Sequence, residues 1–356
     1  MTSGWRLTLE PCGAMVAWSL IRVDDEHPTG QVWAGLIEEA AALRARAADC
    51  PDPSGGALVD PGREDALARE LGRALLPAPL RTLLTDSTGP HTLTLLVRGW
   101  LAGVPWDALA LDSSGTRLIE RCFVLGGLPP GLASDVAGVL PAAPGPGTLW
   151  LVDPGPPDGK WPPLFPAGYP GPVGALIRPQ DDLVPDGVPF GADALAAQLR
   201  PRRFGQLGYL GHVTSDPQSP AAAALVLSDS DREFLFTAHQ WLRDPSRWPA
   251  PPLVALIGCG SDDARAFELA GLPTAALLAG ARLVISTRWP LPNTPPVVEL
   301  LQAVCAAQRS AGIESIRAWQ LDRLAHWRRT GAEGASPLYW ASLVSYDRAL
   351  LGGEAP

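Results

Sequence analysis

Two short apolar runs constrain what this chain can fold into more than any other feature. They are Leu207-Gly208-Tyr209-Leu210-Gly211 and Leu253-Val254-Ala255-Leu256-Ile257-Gly258. Each is too short for a helix, is flanked by Gly or Pro, and lacks the polar alternation of a strand with one wet face. Both therefore read as strands buried on both faces, which requires helices packed above and below a sheet. The first run delivers His212 and the second delivers Cys259. In open α/β sheets, ligands and chemistry collect just outside the carboxyl ends of the strands. His212 and Cys259 are thus a candidate thiol–imidazole pair.

The surrounding sequence fits this layering. From Leu149 onward, apolar strands at Leu149–Val152, Gln206–Leu210, Leu253–Ile257, Arg282–Thr287 and Trp340–Ser345 alternate with helical patterns, which predicts a mainly parallel sheet. The helices are Ala192–Leu199, Pro273–Ala279 with Gly280 as its stop, one capped by Thr294 with Val298, Leu301 and Val304 inward, and Glu314–Arg329 with Ile316, Leu324 and Trp327 inward. His239 is expected on an exposed helix, and residues 154–191, rich in Pro and Gly, form a long loop.

The first part of the chain reads as α+β. A strand pair spans Trp5–Val23 around Pro11-Cys12-Gly13. Gln31–Ala48 reads as a helix with Val32, Leu36, Ile37, Ala40 and Leu43 on one face, and Pro51–Pro61 as a loop. Arg63–Leu76 is a second helix ended by Pro77 and Pro79. Thr92–Arg98 and Leu118–Leu125 read as strands, with Trp100 and Trp106 in the core between them. The Pro/Gly linker Pro141–Gly147 separates an N-terminal half, residues 1–140, from a second half, residues 148–350.

Composition excludes several function classes. A chain of 356 residues with 46% hydrophobic and 18% charged residues buries a large core. The net charge of −9 argues against a nucleic-acid partner. No basic-then-apolar leader opens the chain and no apolar run approaches the roughly 18 residues that span a bilayer, so no membrane partner and a cytoplasmic location are expected. Cys12, Cys50, Cys122, Cys259 and Cys305 are odd in number and scattered, like the five histidines, and fit neither a disulfide framework nor a zinc site. No metal and no cofactor are expected; neither GxxxxGK[ST] nor a complete GxGxxG is present. With one lysine, Lys160, and one asparagine, Asn293, the chain reads as the product of a GC-rich, bacterial genome.

Four ordered blocks resemble the CHAT domain, a caspase-like cysteine peptidase family of clan CD found widely in bacteria. They are YLGH with the following AAALVLSDSDREFLFTAHQW, then LVALIGCGSDD, then GLPTAALLAGARLVISTRWPLPNT, and finally PLYWASLV. Upstream, LLVRGWLAGVPWDALALDSSGTRLIERCFVLGGLPP is similar to the degenerate half that precedes the catalytic half in this family. The resemblance covers roughly residues 63–347 and meets the caspase spacing of about 50 residues from His to Cys. It implies a caspase-like (caspase–hemoglobinase) α/β fold with a mainly parallel sheet flanked by helices, preceded by a degenerate caspase-like α+β half.

The resemblance also implies a catalytic dyad, here His212 and Cys259. Cys259 would attack a peptide carbonyl as thiolate, and His212 would take its proton and return it to the leaving amine. Backbone N–H groups of Cys259 and Val213 would hold the oxyanion. The implied partners are a protein or peptide substrate and an activating protein. For specificity, either Arg288 receives an acidic side chain, or Asp229 and Asp231 receive a basic one; the plainer reading of all three is solvated surface. Cys50, Cys122 and Cys305 read as structural.

The chain departs from the family pattern at two places. Val213 stands where the family usually carries Gly, keeping the N–H donor but adding bulk and giving up positive φ. Gly260-Ser261-Asp262-Asp263 is more acidic than the family pattern, and acidic neighbours raise a thiol pKa. Gly208 replaces a His often found four residues before the dyad His and reads as structural. A non-enzymatic interaction module on the same fold is the alternative to a peptidase.

Overall fold

The computed structural model describes residues 4–23, 32–87, 89–154, 161, 179–184, 190–214, 219–229, 232–258, 271–292, 294–310 and 312–351. In chain order the strands are β1 (Gly4–Cys12), β2 (Met15–Val23), β3 (Val32–Ile37), β4 (His91–Val97), β5 (Cys122–Gly126), β6 (Gly147–Val152) and β7 (Asp182–Val184), followed by β8 (Phe204–Gly211), β9 (Val213–Thr214), β10 (Ala224–Asp229), β11 (Arg232–Thr237), β12 (Leu253–Gly258), β13 (Leu283–Thr287) and β14 (Leu343–Asp347).

Eleven of these form one sheet in the order β3-β2-β1-β4-β5-β14-β13-β12-β8-β6-β7, and β11-β10-β9 form a small second sheet. From β13 through β12, β8 and β6 to β7 every pairing is parallel, as the uninterrupted apolar runs require. Strand β14 comes last in sequence but inserts between β13, to which it is antiparallel, and β5, to which it is parallel. The linker expected between the two halves thus falls between β5 and β6, which are not neighbours, and both halves build the same sheet.

Side-chain alternation along the central strands feeds two cores. Trp150, Leu210, Ala255, Ile257, Leu283 and Ile285 face one side, under the helices Ala40–Asp49, Pro61–Leu75, Ala78–Asp86, Pro295–Ser310, Ile313–Thr330 and Pro337–Trp340. Leu149, Leu151, Leu207, Tyr209, Val254, Leu256 and Val284 face the other, under Pro130–Gly138, Ala192–Gln198, Ala238–Arg243, Leu272–Leu278 and Arg348–Leu351. Gly208 lies on the first side, where a Cβ would sit 3.0 Å from the Trp150 ring and 3.3 Å from Cys305 Sγ. Its missing side chain is therefore a packing requirement.

Local chemistry explains the starts of two helices. Asp60 accepts the Arg63 N–H at 2.8 Å and Pro61 fills the first turn of the helix that buries Leu67, Leu71 and Leu75. Thr237 and Gln240 form a reciprocal capping box at the head of Ala238–Arg243, which carries His239 exposed, as expected.

Two sequence expectations are corrected. Residues 31–48 are not one helix: Val32–Ile37 pairs antiparallel with β2, Glu39 turns the chain at φ 63°, and the helix begins at Ala40. The apparent helical face was an alternation of inward Trp33 and Ile37 with outward Val32 and Leu36, which are 64% and 60% exposed. Residues 118–125 divide into the helical turn Leu118–Arg121 and β5, because the Glu120 carboxylate accepts the Arg117 N–H at 2.6 Å and closes the turn. The helix Pro61–Leu75 does end before Pro77, as expected, but a further helix, Ala78–Asp86, follows at once, and Pro130 opens another, Pro130–Gly138.

Candidate active site

Because β6, β8, β12 and β13 run parallel, their carboxyl ends, Val152, Gly211, Gly258 and Thr287, lie along one edge of the sheet. The sequence continues from these ends into Asp153, His212, Cys259 and Arg288. Cys259 lies outside the described residues, as do Gly260, Ser261, Asp262, Asp263 and Asp231. The strand that leads to Cys259 is described to its last residue. Gly258 is the register partner of Gly211, so the residues before His212 and before Cys259 stand side by side.

Both positions lack room for a side chain, Gly258 because of β8 and Gly211 because of Tyr209 on its own strand. A Cβ on Gly258 would lie 2.6 Å from the Gly211 carbonyl oxygen and 3.0 Å from Val213 Cγ2, and one on Gly211 would strike the Tyr209 hydroxyl. On the opposite side of β12, main-chain pairing with β13 reaches Leu256 and Ser286. Beyond it the Thr287 hydroxyl donates to the Gly258 carbonyl at 2.8 Å and accepts the Gly258 N–H at 3.3 Å.

His212 is 8% exposed. Its carbonyl accepts the Val226 N–H at 3.0 Å and the buried Tyr209 hydroxyl at 2.5 Å. Its imidazole lies against the Trp161 indole, with ring centroids 5.2 Å apart and tilted by 32°. Trp161 is held in turn by its indole N–H donating to Glu233 at 2.6 Å, so β11 supports the aromatic wall beside the imidazole.

Val213 answers part of the question raised by its replacement of glycine. It pairs with Leu225 across β9 and β10, one step beyond the His212–Val226 hydrogen bond. Antiparallel pairs alternate between bonded and non-bonded, so the Val213 N–H points away from β10. Among the described residues the non-glycine positions with positive φ are Glu39, Asp153 and Arg202; Val213 needs no glycine conformation. Its side chain is 7% exposed and packs beside Gly258.

The specificity candidates separate. Asp229 ends β10, is exposed, and takes the space left by Gly191, where a Cβ would be 2.6 Å from its carboxyl carbon. Arg288 is not solvated surface, and its charge already has a partner. At 6% exposure it forms a buried ion pair with Asp107 at 3.2 Å, and the same nitrogen donates to Leu343 O. Burial pushes the Asp107 carboxyl up to about 6 against the opposing pull of Arg288. Arg288, Trp289 and Leu291 also border a cavity of 530 Å³ with Trp100 and Arg44, on the helix face that carries the N-terminal half.

The remaining described cysteines divide clearly. Cys50, Cys122 and Cys305 are buried and Cys12 is exposed. Burial pushes the thiols of Cys50 and Cys305 up to about 12 and raises that of Cys122 as well. Inert packing is the role expected for these three, and their surroundings favour the neutral thiol. No group of three or more His, Cys, Asp or Glu that could hold a metal ion occurs among the described residues. Nor is any helix there long and apolar enough to cross a membrane.

Sequence inspection missed Tyr209, Thr287, Asp153 and Trp161. Tyr209 and Thr287 were legible only as strand residues, although a hydroxyl inside an apolar run demands a buried partner. Asp153, 6% exposed at φ 49°, donates its N–H to Leu210 O beside the end of β8. An acidic residue held in the left-handed region at a sheet edge has no signature in the sequence.

Comparison with known proteins places this geometry. The family model described as CHAT domain matches residues 182–348, which include β8 through β14. A chain in the crystal structure of the Saccharomyces cerevisiae separase–securin complex at 3.0 Å aligns with a TM-score of 0.56 and 8% identity, over 97% of this chain and 30% of that one. A chain in the 2.6 Å structure of the same complex aligns over 72% of this chain and 16% of that one, with 12% identity and a TM-score of 0.45. This chain therefore spans less than a third of either of these solved chains. Comparison with curated proteins gives no match. The separase likeness at 3.0 Å and the observed sheet bear out the expected caspase-like α/β fold.

Proposed function

We propose that the chain is a cysteine endopeptidase that cleaves protein substrates with Cys259 as nucleophile and His212 as general base and acid. The observation that carries this reading is the pairing of Gly211 with Gly258, which aligns the two strands that lead into His212 and Cys259. A thiol and an imidazole at neighbouring strand ends supply what acyl transfer needs: a nucleophile, a proton acceptor, and the same group to protonate the departing amine. Val213 contributes an N–H directed away from β10, available to the oxyanion together with that of Cys259.

Asp229 and Asp231 are the proposed receptors for a basic side chain before the scissile bond. Asp229 lies three residues along β10 from Val226, whose N–H binds the His212 carbonyl, roughly 10 Å by strand geometry and within the reach of an arginine. The CHAT match and the separase-like fold support the peptidase class, and an activating protein partner belongs to the same proposal.

The test is cleavage of casein and of coumarin-releasing peptides with Arg, Lys or Asp before the scissile bond. Cys259→Ala and His212→Ala should each abolish turnover. Cleavage that survives Cys259→Ala would remove the thiol from the mechanism.

The second reading is a non-catalytic interaction module. It is favoured by one feature, the Val213 side chain filling space beside Gly258 where the family carries glycine. A folded chain whose Cys259 reacts with no electrophilic peptide would select that reading.

A further inference from the structure

We propose that Thr287 is a positioning residue for Cys259, acting through the carbonyl of Gly258; the proposal rests on the peptidase reading above. Gly258 is the residue from which the chain enters position 259, and glycine is the residue with the widest backbone freedom. It must be glycine, because Gly211 O and Val213 leave no room for a Cβ. Pairing with β8 holds one side of β12 here, but on the β13 side the ladder has ended, so this position needs a restraint from that side.

Thr287 supplies that restraint. Its side chain is fully buried, and its hydroxyl both donates to Gly258 O at 2.8 Å and accepts Gly258 N–H at 3.3 Å. One oxygen thus engages both polar atoms of Gly258 where the main-chain ladder between β12 and β13 has ended. The Gly258 carbonyl belongs to the planar unit that continues into the next residue, so fixing its direction fixes the plane on which Cys259 is attached.

Thr287 is itself held through its neighbour Arg288. The Arg288 N–H donates to Ser342 O at 2.8 Å, and the Arg288 guanidinium is tied to Asp107 and Leu343 O. Asp107 lies in the N-terminal half, so a continuous set of contacts runs from that half through Arg288 and Thr287 to Gly258. The N-terminal half is thereby one support of this strand end, beside β14. Nucleophilic attack depends on alignment to within about an ångström, and a displaced thiol lowers turnover more than binding.

The experiment compares Thr287→Val, which removes the hydroxyl at nearly constant volume, with Thr287→Ser, which keeps it. Steady-state kinetics on the Arg, Lys and Asp coumarin peptides read kcat and KM separately, and thermal unfolding confirms that each variant folds. Thr287→Val should lower kcat by about tenfold or more with KM within about twofold of wild type, and Thr287→Ser should stay within about threefold in both. A Thr287→Val enzyme with wild-type kcat overturns the proposal, and so does a Thr287→Ser enzyme as impaired as the valine variant. If the valine variant does not fold, Thr287→Ala takes its place and the serine comparison stands unaltered. A wild-type chain that cleaves none of the peptides overturns the peptidase reading and the positioning role together; a wild-type chain that cleaves, with all variants equal to it, overturns the positioning role alone.

Discussion

Gly211 and Gly258 are register partners on adjacent parallel strands, and neither can accept a β-carbon. Gly258 is crowded by the Gly211 carbonyl and Val213, and Gly211 by the Tyr209 hydroxyl, where the sequence passes into His212 and Cys259. The pair is the geometric basis of the proposed function.

Replacing Gly258 with alanine places a methyl group 2.6 Å from Gly211 O, a contact that only backbone movement relieves. Overpacking of this kind costs about 1–3 kcal/mol. The expected outcome for Gly258→Ala is a lower melting temperature together with loss of peptide cleavage, read by calorimetry and by the coumarin assay. Retention of wild-type values in both would show that the strands do not approach as described.

Tyr209→Phe removes the hydroxyl that meets the carbonyls of His212 and Val226 at 2.5 and 3.2 Å and accepts the Val226 N–H at 3.2 Å. With these groups buried, the loss should be about 1–3 kcal/mol in urea unfolding. The His212 carbonyl loses its bond from Tyr209 and keeps that from Val226, so kcat should fall as well.

The Asp107–Arg288 pair gives a pH signature. Asp107 titrates near pH 6 in the folded chain because burial disfavours its charge, above its unfolded value of about 3.9. A raised carboxyl pKa means that the folded state binds the proton more tightly. Its contribution to stability is therefore fully present below about pH 4 and is lost as pH rises through 6. Asp107→Asn cannot titrate, so the stability of wild type relative to this variant should decline between pH 4 and 6 and then level off. A difference that is flat across that window would contradict the shifted carboxyl. Asp107→Ala, which strands Arg288 without its partner, should cost about 3–5 kcal/mol.

The thiols offer a simple count. Cys50, Cys122 and Cys305 are buried with raised pKa values, so a native chain treated with iodoacetamide at pH 7.5 should leave all three unmodified while Cys12 reacts. Peptide mapping by mass spectrometry reads each site. Rapid modification of Cys305 would mean that the core beneath Trp150 and Gly208 is open.

Much of this was legible in the sequence because burial on both faces leaves a plain mark. The runs ending at Gly211 and Gly258 could be little else than central parallel strands, and the CHAT-like blocks around them ordered the second half correctly. Strand β3 was misread because Val32, Leu36 and Ile37 satisfy helical spacing as well as strand alternation, and only pairing with β2 decides between them. Helices beginning at Ala78 and Pro130 were hidden because proline marks a helix start as readily as a stop. Arg288 was misjudged because a sequence does not show Asp107 coming within 3.2 Å across the sheet. Thr287 was unreadable for the same reason: its role depends on a partner strand, Gly258 at the end of β12.

The central claim is that Cys259 reacts as a nucleophile assisted by His212. It is tested most directly by the rate at which peptidyl acyloxymethyl ketones with Arg, Lys or Asp at the terminal position modify the chain, with the modified residue identified by mass spectrometry. The dyad predicts a covalent adduct on Cys259 in the wild type and at least a hundredfold slower adduct formation in His212→Ala, of the order expected for loss of a general base. A wild-type chain that forms no adduct at Cys259, or an adduct that forms equally fast without His212, would contradict it.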